Sequence, residues 1–541
     1  MKKSNNNNRR AFSSVQLIIA VSLFVASFSN ISFFTSAQKT FGLVGENALF
    51  VGSLFVYITA IFIIILALVC HRFLVKPLLI GFLLLSSVIA YYSNTYGTIF
   101  DYKMISNLFE SSVSEASDLF NFKLLLYIGL LGGLPSLVIY YANHDHPHWK
   151  LETIARVKLL AIAGITVAAV SFTFSGHYTS MMREHRDLVG KVNPSYALAQ
   201  SLKLAKRSLL SYSYPHLVVG AKAKIPVGDN DRELVIMVVG ETARADHFSL
   251  NGYGRKTNPR LKREKVVNFP DFWSCGTSTA YSVPCIFSHY TRTEFTRAKA
   301  KVADNALDIL KRSGVSVLWR DNNSSSKGVA DNVTYEDYQT AELNTHCNEV
   351  ECRDEGMLVG LQEYINAHKD GDILIVLHQM GNHGPAYYKR YPKRFEKFTP
   401  VCNTNDLGAC TSEEITNAYD NAILYTDYFL SKVIELLKKN DDDFETAMVY
   451  ASDHGESLGE MGVYLHATPY LLAPDAQKHV PAVMWFGKNF ETEDLGDIEN
   501  MRKKRLSHDN IFSTLLGLFE IRTSAYDPKM DILDHVHSEH W

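Results

Sequence analysis

The sequence predicts an N-terminal five-helix transmembrane domain followed by an α/β domain, a mostly parallel sheet between helical layers. Three observations carry this expectation. Five stretches, 14–34, 48–69, 77–93, 124–141 and 159–175, contain no Asp, Glu, Lys or Arg. Beyond about residue 232, short unbroken apolar runs alternate with helical patterns. Three of those runs end in carboxylates and histidines. Composition over the whole 541 residues hides the division, since 47% hydrophobic and 21% charged residues are ordinary globular values. A net charge of −3 argues against a purely electrostatic nucleic-acid binder. The expected boundaries are 1–176 for the transmembrane domain, 177–231 for a bridging helix and linker, and 232–541 for a catalytic domain.

Each apolar stretch has 17 or more residues, close to the ~20 that cross a hydrocarbon core of about 30 Å. Buried core helices would keep a polar face, and five in succession do not. Lys2, Lys3, Arg9 and Arg10 ahead of a run ending near Ser36-Ala37-Gln38 also suit a cleaved signal peptide, but four further spans favour an uncleaved anchor. Residues 1–13, 70–76 and 142–158 carry nine Lys and Arg, whereas 35–47 and 94–121 carry only Lys39 and Lys103. The positive-inside rule therefore places the N-terminus in the cytoplasm and the domain after the fifth span in the periplasm. Cysteine usage is a separate test. Cys275 and Cys285, Cys347 and Cys352, and Cys402 and Cys410 all lie beyond the fifth span, while Cys70 stands at a membrane boundary. An oxidising compartment would make the six into disulfides, and local pairing is the simplest connectivity.

Two connecting segments stand out. Asn107, Ser111 and Glu115 recur at i, i+4 and i+8, one polar stripe on a helix over the periplasmic membrane surface. A solvated face explains the stripe equally well. Segment 178–224 carries eight Lys and Arg against Glu184 and Asp187, a basic pattern suited to an anionic membrane or to a solvated linker.

In the C-terminal part, Leu234–Val239, Val315–Trp319, Ile373–Leu377, Ala447–Ala451 and Val480–Phe486 are apolar throughout, as strands buried on both faces are. Thr411 and Glu414 form a capping box, and Leu430, Val433, Ile434 and Leu437 supply the buried stripe of the helix it starts. The first of these strands runs into Gly240-Glu241-Thr242-Ala243-Arg244. The third leads to His378-Gln379-Met380-Gly381-Asn382-His383-Gly384, and the fourth to Ser452-Asp453-His454-Gly455-Glu456. Together they describe one site at the carboxyl edge of the sheet. Cys275-Gly276-Thr277-Ser278-Thr279-Ala280-Tyr281-Ser282-Val283-Pro284-Cys285 adds a hydroxyl-rich loop closed by a cysteine at each end. A hydroxyl is a poor nucleophile until a base or metal activates it. Glu241, Asp453 and His454, two carboxylates and an imidazole, are a donor set suited to zinc.

With these motifs the chain resembles the phosphoethanolamine–lipid A transferases of Gram-negative bacteria, the family that includes the mobile colistin-resistance enzymes, over nearly its whole length. The resemblance rests on Gly240-Glu241-Thr242-Ala243-Arg244-Ala245-Asp246-His247, the Cys275–Cys285 loop, Asn382-His383-Gly384-Pro385 and Ser452-Asp453-His454-Gly455-Glu456. It implies an alkaline phosphatase/sulfatase-like periplasmic domain, Thr279 as nucleophile, and Zn²⁺ held by Glu241, Thr279, Asp453 and His454. It implies that Lys327 lies near the substrate phosphate, that His383 and His466 line the same pocket, serving a second zinc or proton transfer, and that Asn107 and Glu115 hold the lipid headgroup. Ser111 stands where members often have threonine. The activity implied is transfer of phosphoethanolamine from phosphatidylethanolamine to a phosphate of lipid A, by a monomeric inner-membrane enzyme, with polymyxin resistance as the result. The alternatives are transfer to a core heptose or other acceptor, a sulfatase- or phosphatase-like hydrolase, and a non-catalytic sensor.

Overall fold

The computed structural model describes residues 11–70, 73–110, 119–145, 148–211, 215–226, 231–348, 351–490 and 498–533. The chain packs as two units. One takes the chain up to Tyr102 together with Asn121–Lys203, and the other takes Lys103–Phe120 and everything from Leu204.

The first unit is helical. Glu46–Val69, Val75–Tyr96, Phe122–Tyr141 and Trp149–Thr173 are each long and apolar enough to cross a membrane. The expected first span is two helices, Ser14–Phe28 and Ile31–Phe41, bent by 57°. The break has a physical cause. Asn30 Nδ2 donates to the Val25 and Asn193 carbonyls, and Asn193 N donates back to Asn30 Oδ1 at 2.8 Å. Asn193 Nδ2 donates to the Ser29 and Ser86 carbonyls. In an apolar bundle such groups must find partners inside the protein, and the broken helix supplies them. Trp149–Thr173 starts ten residues ahead of its apolar stretch, and in this added part Glu152 pairs with Arg156 at 2.7 Å across one turn. Tyr178, Met181 and Leu188, from the basic segment, are buried in this bundle's core.

The second unit contains eleven strands among the described residues: β1 (Glu233–Gly240), β2 (Val267–Phe269), β3 (Phe272–Trp273), β4 (Ser316–Asp321), β5 (Thr334–Asp337), β6 (Ile373–His378), β7 (Glu445–Ser452), β8 (Ser457–Leu458), β9 (Tyr464–Leu465), β10 (Ala482–Phe486) and β11 (Leu506–Ser507). Seven form one sheet in the order β2-β10-β7-β1-β6-β4-β5. β7, β1, β6, β4 and β5 run parallel, and β10 is antiparallel to β7 and β2. All eight residues of β1 and all six of β6 are buried, so both faces are covered. The helix Ser412–Lys438 starts at the Thr411 capping box and buries Leu430, Val433, Ile434 and Leu437.

Register decides what the sheet presents. Val239 pairs with His378, Gly240 with Ser452, and Asp321 with His378. Four parallel strands therefore stop level, and Glu241, Asn323, Gln379 and Asp453 follow them side by side at the carboxyl edge.

Candidate active site

Glu241, Asp453 and His454 are fully buried at that edge, and one ligand atom from each lies within 4.8 Å of the others. Thr279 joins them from the first turn of the helix Thr279–Ile286. Its Oγ1 donates to Glu241 Oε2 at 3.1 Å and lies 3.3 Å from His454 Nε2. The Cys275–Cys285 disulfide closes the loop that carries it. Cys347–Cys352 and Cys402–Cys410 are also bonded.

The local backbone is shaped for this convergence. Thr242 holds φ at +57°, an uncommon value for a β-branched residue. That turn points its N–H at Asp453 Oδ1 (3.1 Å) and its hydroxyl at Glu241 Oε1 (2.5 Å). Gly381 sits at φ +50°, where an added Cβ would be 2.8 Å from the Glu241 carbonyl. No larger residue fits there without moving Glu241.

His454 Nδ1 faces the Gly455 carbonyl at 2.9 Å, so Nδ1 carries the proton and Nε2 turns its lone pair to the carboxylates. Burial holds this imidazole down to about 3, with His466 adding to the effect, so it is neutral at ordinary pH. Burial, then the charge of Glu241, pushes Asp453 well above the usual carboxylate range. Burial also opposes ionisation of Glu241, but His454, His383 and His466 in their protonated forms, with the Thr242 hydroxyl, outweigh it and hold Glu241 at about 2. Asp453 Oδ2 accepts no hydrogen bond although it is buried. Two carboxylates, a lone pair and an unsatisfied oxygen converging on one point are what a bound cation satisfies. The donor set fits zinc.

Of the other expected residues, His383, His466 and Lys327 connect to this centre. His466 lies tilted against His454 and edge-on to His383, with ring centroids 4.4 and 5.5 Å away, and its Nδ1 is 3.3 Å from Glu456 Oε1. Lys327 Nζ donates to Ser324 Oγ, which donates to Asn323 Oδ1 at 2.9 Å. Asn323 Nδ2 then donates to Glu241 Oε2 at 2.8 Å, linking the lysine to the centre. Lys327 lines a cavity of about 540 Å³ with Arg297, whose Nη1 donates to Ser106 Oγ at 2.7 Å. Asn107, the next residue, is half-buried on the helix Tyr102–Glu110. Ser111 and Glu115 lie outside the described residues.

Sequence reasoning assigned no role to Asn323, Thr242 or Glu456. Thr242 and Glu456 stand within the Gly240–Arg244 and Ser452–Glu456 motifs, where their polar side chains close after a buried strand were the available signal.

Comparison with known proteins gives the family. Residues 58–209 match the family described as phosphoethanolamine transferase EptA/EptB, and residues 233–521 match the sulfatase family. Phosphatidylethanolamine transferase Mcr-1 of Escherichia coli is 42% identical over 95% of this chain and 96% of its own. The chain belongs to the phosphoethanolamine transferase family. Escherichia coli phosphoethanolamine transferase EptA is 38% identical over the same shares. The solved integral membrane lipooligosaccharide phosphoethanolamine transferase A of Neisseria meningitidis superposes with a TM-score of 0.93 at 35% identity, covering 97% of this chain and 99% of that one. This transferase accordingly joins a helical membrane part to a sulfatase-like α/β domain.

Within the transferase the first disulfide should matter most to turnover, because it alone closes the loop bearing Thr279. Replacing Cys275 and Cys285 with Ser should lower the transfer rate at least tenfold, through lost positioning. The same change at Cys402 and Cys410 should alter it less than twofold. Equal losses in both pairs, measured on full-length enzyme in detergent, would show that the first bond is only a general stabiliser.

Proposed function

We propose that the protein moves phosphoethanolamine from phosphatidylethanolamine to a phosphate of lipid A by way of Thr279. The observation that carries this is the Thr279 hydroxyl, fixed at a helix start and bonded to Glu241, in a chain of this family. Relatives named phosphatidylethanolamine transferase and Kdo(2)-lipid A phosphoethanolamine 7''-transferase support the donor and the class of acceptor. Glu241, Thr279, Asp453 and His454 would hold Zn²⁺, which when bound favours the alkoxide and neutralises charge on a phosphoryl oxygen.

The chain's own residues do the rest. Glu241 Oε2 is the acceptor placed for the Thr279 proton. Thr279 Oγ1 bonds to the donor phosphorus, the bond from phosphorus to the glycerol oxygen breaks, and diacylglycerol leaves with a proton. Lys327 balances the phosphate charge, and His383 and His466 border the pocket where that proton is exchanged. A lipid A phosphate oxygen then attacks the same phosphorus, and as the bond from phosphorus to Thr279 Oγ1 breaks the threonine oxygen takes up the proton that the attacking phosphate gives up. In-line displacement at phosphorus needs mostly positioning and charge neutralisation, which a rigid buried site supplies.

The Lys and Arg asymmetry and the disulfides support a cytoplasmic N-terminus, a membrane domain over 1–176, a bridge over 177–231 and a periplasmic catalytic domain over 232–541. A hydrolase acting on soluble substrates would have no use for the membrane part. Mass spectrometry of lipid A from expressing cells should reveal a phosphoethanolamine adduct, together with raised polymyxin tolerance. An adduct confined to core heptose, or none at all, would refute lipid A as acceptor.

A further inference from the structure

A second cavity, of about 590 Å³, adjoins the nucleophile loop at Ser274 and Cys275 and has no part in the chemistry above. Its volume is within the usual range for small-ligand sites. Its wall includes the loop's own fastening, because an Asp509 carboxylate oxygen and the Cys275 and Cys285 sulfurs lie within 4.8 Å of one another. Three residues separate Cys275 from Thr279, so at most ~14 Å of chain, four residue steps, lies between cavity wall and nucleophile.

Three cations line this cavity: Arg292, Lys478 and Arg505. Two aromatic rings hold them. The Arg292 guanidinium lies 4.6 Å from the Tyr470 ring centroid and Lys478 Nζ 5.6 Å from the same ring. The Arg505 guanidinium lies 4.1 Å from the Trp273 centroid. Tyr470 is itself fixed, since its hydroxyl donates to the Ser274 carbonyl at 3.0 Å. Two carboxylates face the cations, and both are engaged. Asp475 pairs with Lys478 at 3.3 Å, and Asp509 Oδ1 accepts the backbone N–H of Arg292 at 2.8 Å. Neither guanidinium makes an ion pair within 4.0 Å among the described residues, although Arg292 acts on the Asp509 carboxylate from further away. A guanidinium resting on an aromatic face keeps its N–H edge for an in-plane acceptor, and a phosphate offers the matching pair of oxygens.

We propose that this cavity binds a sugar phosphomonoester, namely the phosphate of the acceptor that is not being modified. The inference rests on lipid A as acceptor, a glucosamine disaccharide with a phosphate at each end. One phosphate would meet Thr279 while the other docks between Arg292 and Arg505. The site then selects bisphosphorylated acceptors and leaves the donor half of the reaction alone.

The test uses full-length enzyme in detergent, with Arg292→Gln and Arg505→Gln combined. Diacylglycerol release from phosphatidylethanolamine without acceptor should stay within twofold of wild type, which also reports correct folding. KM for bisphosphorylated lipid A should rise at least tenfold with little change in kcat, while KM for monophosphorylated lipid A should not move. An unchanged KM for the bisphosphorylated acceptor, an equal rise for both acceptors, or loss of the donor half-reaction would overturn the proposal. If the wild type modifies neither acceptor, lipid A itself is the wrong acceptor, and direct titration judges the cavity. Glucosamine 6-phosphate should then bind the double variant at least tenfold more weakly than wild type, and equal affinity would reject the site. Inorganic phosphate that binds as tightly as the sugar phosphate would reject the sugar as part of the ligand.

Discussion

Thr279→Ala should abolish phosphoethanolamine transfer, lowering it by roughly 10⁴-fold or more, the scale of loss when a covalent nucleophile is removed. The fold and the metal content should largely survive, because Glu241, Asp453 and His454 come from two strand ends that do not depend on the Thr279 methyl or hydroxyl. Thr279→Ser should keep a fraction of the activity. Its oxygen remains, but the β-branch that restricts χ1 is lost, so the hydroxyl spends less time against Glu241 and His454. The deciding measurement is peptide mapping after incubation with donor and no acceptor. Phosphoethanolamine should appear on the peptide containing Thr279 and be absent from the alanine variant. An adduct on Thr277 or Ser282, or an alanine variant that still transfers, would remove Thr279 from the mechanism.

The second large effect concerns Asp453. Its Oδ2 is buried and accepts no hydrogen bond, with a second carboxylate and an imidazole lone pair opposite. Asp453→Asn exchanges a carboxyl whose charged form is costly in this buried place for a neutral group of the same shape. In chelator the variant should therefore melt no lower than wild type, and most buried-site changes go the other way. Added zinc should raise the wild-type Tm in a concentration-dependent manner, by about 2.7 kcal/mol of stability at a hundredfold excess over Kd. It should leave the variant unmoved. Transfer by the variant should fall at least a thousandfold and should not recover with zinc, whereas wild type stripped by chelator should recover. A variant that melts well below wild type in chelator would mean that Asp453 is structural.

The sheet was largely legible because buried parallel strands leave unbroken apolar runs, as in Ile373–His378. β2 and β5 were not, since three and four residues at a sheet edge leave no pattern, and Thr334-Tyr335-Glu336-Asp337 is mostly exposed. The site's ligand triad could be read because polar residues placed directly after such runs have few other reasons to be there. Asn323 escaped notice for the opposite reason. Its role is visible only once the register sets the end of β4 beside the end of β1, through β6, two neighbours that sequence distance conceals. The cavity between Arg292 and Arg505 was equally hidden, since its cations come from three separate loops.

The bend at Asn30 has a consequence for how the chain is made. The partner of its side chain, Asn193, is 163 residues further along. At ~5–20 residues per second of synthesis, Asn30 emerges roughly 8 to 30 seconds before Asn193 exists. During that interval the Asn30 amide has the Val25 carbonyl within reach but not the Asn193 one. The Asn30–Asn193 pair can therefore form only once nearly the whole membrane unit has been made.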